Sequence, residues 1–185
     1  MKNKPVIVIA RIAVYAVIAL LLFIIESLFP PIIPIAPFAK IGLANIVTLL
    51  AIVTLGHWEA GVVLGVRCLL GALYSLNPFS LMYSLSGGIA TYAVMCLLYR
   101  FLCPRISLLS VSVAGAIAHN LAQAFVAVLL MNSVNFVLLL PLMLPLGVIA
   151  GLTTGAACLL LVKFLPQKLF FATPADVDME VFESE

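Results

Sequence analysis

His119, Asn120 and Gln123 stand in the middle of an apolar run that holds no Asp, Glu, Lys or Arg from Ile106 to Val162. Lipid tails cannot solvate an imidazole or an amide, so such side chains turn toward a protein interior or a wet cavity and find partners there. His119 and Gln123 are four residues apart and share a helix face, with Ser112 and Ala116 near the same stripe. Asn120 lies about 100° round the helix. No carboxylate stands near His119 to orient it, so a Ser-His-Asp or Cys-His centre is not credible. The chemistry these groups offer is recognition. Arg67 adds a planar guanidinium that can grip a phosphate or carboxylate through paired donors, which Lys cannot reproduce. For each group a structural role stands beside the functional one. Arg67 could pair with Glu26 or backbone carbonyls, the amides and imidazole could bridge helices, and Glu26 and Lys40 could extend to the membrane interface.

The setting follows from composition. Of 185 residues, 65% are hydrophobic and 9% charged, and the mean hydropathy is +1.32. These values belong to an integral membrane protein. The length accommodates about six spans of roughly 20 residues with short loops. Turn formers and charges place them at about Val6–Phe29, Ile41–Leu55, Ala60–Leu76, Phe79–Tyr99, Leu108–Met131 and Phe136–Lys163. Between the first two, Pro30, Pro31, Pro34 and Pro37 exclude a continuous helix and predict a loop or re-entrant segment. The second and third spans are short for a bilayer. The uncharged stretch from Ile12 to Ile25 also has the length of a signal-peptide core, but no small-x-small cleavage site follows, and it is read as the first span.

With six spans, Lys2, Lys4, Arg11, Arg100, Arg105, Lys163 and Lys168 all fall on one side. The positive-inside rule makes that side the cytoplasm, with both termini there and the protein multi-pass in the cell membrane. Lys40 is then the only basic residue near an external loop. The net charge of +2 is a matter of topology, and no basic patch suggests nucleic acid.

On this topology Arg67 and His119 lie near mid-membrane and Gln123 lies further out. Glu26, Lys40 and Asn45 lie near the outer ends of the first two spans, and Ser84, Ser86, Gly87, Gly88 and Thr91 in the outer half and middle of the fourth. They predict a cavity open to the outside whose substrate-binding residues are Glu26, Lys40, Asn45, Arg67, Ser86, Gly87, His119, Asn120 and Gln123. Lys40 and Arg67 outnumber Glu26, so an anionic or strongly accepting ligand fits. Close helix packing is expected at Gly61 and Gly65 and along Gly147, Gly151 and Gly155. Gly87-Gly88 allows a bend or a close approach as well. Pro141 and Pro145 are expected to kink the start of the sixth span. Cys68, Cys96, Cys103 and Cys158 show no Cys-x-x-Cys spacing, and neither histidine has a ligand partner at metal-site spacing. No metal or cofactor is expected.

Four ordered segments carry a resemblance: Lys40-Ile41-Gly42-Leu43-Ala44-Asn45-Ile46-Val47-Thr48, Arg67-Cys68-Leu69-Leu70-Gly71-Ala72-Leu73, Ser84-Leu85-Ser86-Gly87-Gly88, and Gly115-Ala116-Ile117-Ala118-His119-Asn120-Leu121-Ala122-Gln123. Together they resemble the Gx transporter family, often labelled heptaprenyl diphosphate synthase component I, over nearly the whole membrane portion. That family looks related to the substrate-binding S components of energy-coupling-factor (ECF) transporters. The resemblance implies an all-α six-transmembrane-helix bundle that binds a vitamin or similar small-molecule micronutrient from outside. It also implies a transmembrane T subunit and two cytoplasmic ATPases as partners. S components commonly carry Ala-x-x-x-Ala on the first helix for T-subunit docking. This chain departs from it, with Ala13, Ala16 and Ala19 at three-residue spacing.

The synthase label implies a second role, a membrane subunit of an isoprenoid or quinone pathway. Prenyl elongation uses aspartate-rich motifs that hold Mg²⁺ on a diphosphate. The only aspartates are Asp176 and Asp178. A P-loop is absent as well. The expectation is a non-enzyme with residues 1–168 as the transmembrane domain and 169–185 as an acidic, disordered cytoplasmic tail.

Overall fold

Backbone N–H and C=O groups at bilayer depth have no water to bond, so an apolar chain satisfies them within helices. The computed structural model describes residues 4–29, 42–103 and 105–164, and its described elements are helices throughout. They are α1 (Lys4–Leu28), α2 (Ala44–Thr54), α3 (His57–Ser75), α4 (Pro78–Leu102), α5 (Leu108–Met131), a 3-10 helix (Val134–Leu139) and α6 (Leu140–Phe164). Five stretches are long and apolar enough to cross a membrane: Val6–Leu28, His57–Ser75, Pro78–Leu102, Leu108–Met131 and Asn135–Phe164. By helix length and hydropathy this is a multi-pass membrane protein. The proline-rich segment, Lys40 and the acidic tail lie outside the described residues.

The second expected span turns out differently. α2 has 11 residues, a rise of about 16 Å against a hydrocarbon core of about 30 Å. Every one of its residues except Ile46 is buried. It is wrapped by α1, α3, α4 and α6. The reason is its uncharged, largely apolar circumference, which has no face to give to water and packs inward. Its two threonines are served locally. Thr54 Oγ1 donates to the Leu50 carbonyl at 2.7 Å and meets the Tyr15 hydroxyl at 2.8 Å. Around it lies the main core, which includes Tyr15, Leu49, Ile52, Met95, Val111 and Cys158.

Helix ends follow local chemistry. Asn77 caps α4, its side chain accepting from Phe79 N at 2.9 Å with Pro78 beginning the helix. Ser107 caps α5 by accepting from Ser110 N at 3.2 Å. The sixth expected span begins as the 3-10 helix rather than as α-helix at Phe136. Pro141 falls in the first turn of α6, where a missing N–H breaks no helical bond, and Pro145 lies inside it.

α5 packs most extensively against α4 and α6, and small residues make this possible. A Cβ on Gly151 would stand 2.5 Å from Val113 Cα, and one on Gly155 would stand 3.0 Å from Ser112 Cβ. Ser112 Oγ and Thr154 Oγ1 are bonded at 2.8 Å across the same seam. The Gly61 and Gly65 pair does not behave this way. Gly61 faces the Tyr92 hydroxyl, and a Cβ on Gly65 would meet nothing within 4 Å. On α1, Ala16 and Ala19 are buried within the bundle while Ala13 is exposed. Two of the three alanines therefore serve internal packing.

Candidate functional site

At the end of the bundle where α1, α3 and α5 finish and α2, α4 and α6 begin, the helices enclose a part-open cavity of about 580 Å³. This volume lies within the range of small-molecule sites. Its wall combines Glu26, Asn45, Arg67, His119 and Gln123 with Phe23, Phe79, Tyr83, Met131 and Phe136. Gly42, Ala44, Asn77, Ser80 and Ser84 complete the lining. The N-terminus of the short α2 opens into this space. Gly42, Ala44 and Asn45 thereby reach the wall.

Arg67 is the central cation. It projects from α3, is only 6% exposed, and its Nε finds no hydrogen-bond partner among the described residues. Room for it comes from α4, where a Cβ on Gly88 would stand 3.2 Å from Nη2. Glu26, 7% exposed on α1, supplies the opposite charge that acts on Arg67. Its carboxylate also accepts the N–H of Gly42 at the entry to α2, where the positive end of the helix dipole favours an anion. Glu26 thus serves the helix end and the arginine together.

His119 and Gln123 project from α5 as their four-residue spacing requires. The His119 imidazole lies against Gly87, and Nδ1 is 3.1 Å from Thr91 Oγ1, which also reaches the Gly115 carbonyl at 3.2 Å. Gln123 Oε1 and Asn45 Oδ1 are buried without partners among the described residues. Leaving such an atom unpaired costs about 1–3 kcal/mol. Two amide oxygens and the Arg67 Nε, all unpaired among the described residues, belong to side chains around one cavity, and such atoms ask for a functional explanation.

Other expected residues are placed differently. Asn120 faces α6, where Nδ2 donates to the Met143 carbonyl at 2.8 Å through the notch left by Gly147. It locks two helices and does not line the cavity. Ser86 Oγ bonds the Tyr83 carbonyl of its own helix at 3.2 Å and is also off the wall. Gly87 sits behind His119. The aromatic lining was missed by sequence reasoning that searched for polar residues. A signal existed on α4, since Phe79 with Tyr83 and Ser80 with Ser84 each recur at four-residue spacing ahead of Gly87. Among the described residues no group of three His, Cys, Asp or Glu side chains could hold a metal ion.

The family model for heptaprenyl diphosphate synthase component I matches residues 15–161. The chain belongs to this family. The match contains every cavity-lining residue, from Phe23 to Phe136, and both halves of the α5–α6 seam. Comparisons with curated proteins and with solved structures gave no match. The component I family assignment and the span-length helices together make the chain a membrane component of that family.

Proposed function

We propose that this component I family member is a membrane substrate-binding subunit, similar to ECF S components, that takes up a small anionic micronutrient or cofactor precursor from outside. The observation that carries this reading is the buried Arg67 guanidinium at the wall of a ligand-sized cavity with aromatic surroundings. An arginine at this depth in the bundle matches a carboxylate or phosphate, and the apolar wall holds the rest of the molecule. The positive-inside rule applied to Arg100, Arg105 and Lys163 turns the cavity outward and leaves both termini cytoplasmic. Lacking a P-loop, the chain draws energy for transport from partners, a transmembrane T subunit and cytoplasmic ATPases. In this role it is not itself an enzyme.

The family description favours a second reading, a non-catalytic membrane subunit of a heptaprenyl diphosphate synthase or a related isoprenoid or quinone pathway. Native mass spectrometry of the gently purified full chain separates the two. The first expects a retained small molecule that Arg67→Ala loses, and the second a retained soluble prenyl synthase subunit. Unchanged retention in Arg67→Ala removes Arg67 from the site.

A further inference from the structure

Thr91 has one hydroxyl hydrogen and two neighbours that could use it: the Gly115 carbonyl at 3.2 Å and His119 Nδ1 at 3.1 Å. A carbonyl oxygen can only accept, so in the arrangement that keeps both contacts as bonds the Thr91 hydroxyl donates to Gly115 and has only lone pairs left for the imidazole. Both bonds exist together only when Nδ1 carries the ring proton. Thr91 is 0% exposed, so no water competes for its hydroxyl. The ring also bonds the Gly87 backbone on α4; with Nδ1 turned to α4 by Thr91, Nε2 is the ring nitrogen left for the cavity that His119 lines. In a neutral ring of this form Nε2 is a bare lone pair. One helical turn further along the same face, Gln123 Oε1, which has no partner among the described residues, is a second acceptor.

We propose that Thr91 is a positioning residue that holds His119 in the Nδ1–H form, so that the site takes an anion that also carries an N–H or O–H donor. The donor meets Nε2 while the acidic group meets Arg67. A purely hydrocarbon-bodied anion lacks the first contact and leaves a buried acceptor unpaired, a loss of the kind that gives polar sites their discrimination. This inference rests on the substrate-binding reading for its ligand, but the tautomer is a property of the protein alone.

The test uses the full chain with ¹⁵N-labelled histidine in lipid nanodiscs at pH 8, above the ordinary imidazole range. The chain has two histidines, and His57→Gln assigns the spectrum. The expected result is a protonated Nδ1 and a bare Nε2 on His119, kept in Thr91→Ser and lost in Thr91→Val. An Nε2–H ring in the native chain overturns the proposal, as does a Thr91→Val spectrum that keeps Nδ1–H. If Thr91→Val does not fold, the native spectrum alone decides. A retained molecule without any N–H or O–H donor overturns the ligand half and leaves the substrate-binding reading standing. A chain that retains no molecule removes that reading and the ligand half with it, while the tautomer is still decided by the spectrum.

Discussion

Gly87 has no side chain where the His119 imidazole lies: a Cβ there would stand 2.6 Å from Cε1 and 2.7 Å from Nδ1. At the next residue, Gly88, a Cβ would stand 2.8 Å from Leu64 Cδ1 and 3.2 Å from Arg67 Nη2, so the gap there is shared by Leu64 and the guanidinium. Two adjacent glycines on α4 therefore seat the two basic side chains of the cavity, one from α5 and one from α3. Exchanging a helical Gly for Ala ordinarily stabilises by about 1 kcal/mol through propensity alone. For Gly87→Ala we expect the opposite sign, a loss of about 1–3 kcal/mol from overpacking, with displaced His119 resonances. Denaturant titration in detergent measures it, and a net gain would show that the ring is not packed on Gly87.

Arg67 and Glu26 should behave as a coupled pair. Removing one of two opposite buried charges leaves the other less compensated, whereas an apolar replacement of both is milder. Glu26→Gln and Arg67→Met are each expected to destabilise more than the double substitution does. Additive losses in the double-mutant cycle would show that the two charges do not support each other.

Asn120 and Gln123, three residues apart on α5, should separate stability from recognition. Asn120→Ala breaks the bond to the Met143 carbonyl and is expected to lower stability by about 0.6–1.7 kcal/mol without changing which small molecule is retained. Gln123→Ala removes an oxygen that has no partner among the described residues, so stability should hold or rise while retention weakens. Thermal unfolding together with native mass spectrometry reads both, and the reverse pattern would exchange their roles.

Gly151 and Gly65 form a second contrast. Gly151→Ala drives a methyl toward the Val113 backbone, which cannot swing aside as a side chain can, and a loss of more than about 1 kcal/mol is expected. Gly65→Ala adds a methyl in open space and should be neutral or slightly stabilising. Equal effects at the two positions, measured by unfolding in the same detergent, would contradict the α5–α6 contact.

Much of this molecule is legible in its sequence. Apolar runs and turn formers determine where helices lie, since a backbone in lipid has no other way to satisfy itself; α5 falls on Leu108–Met131 as read. Periodicity also determines that His119 and Gln123 share a face, and the cost of a buried charge determines that Arg67 turns inward. What periodicity cannot carry is which neighbour each face meets. Only the tertiary structure decides that α2 is an enclosed half-length helix whose N-terminus opens into the cavity, because its 11 uncharged, largely apolar residues read equally well as a tilted span. The same holds for Asn120, read as a site residue on a neighbouring face of the helix, which Gly147 and the Met143 carbonyl engage instead. Gly87 and Gly88 carry the point furthest. A glycine states only that room exists, and the fold alone says that His119 and Arg67 fill it.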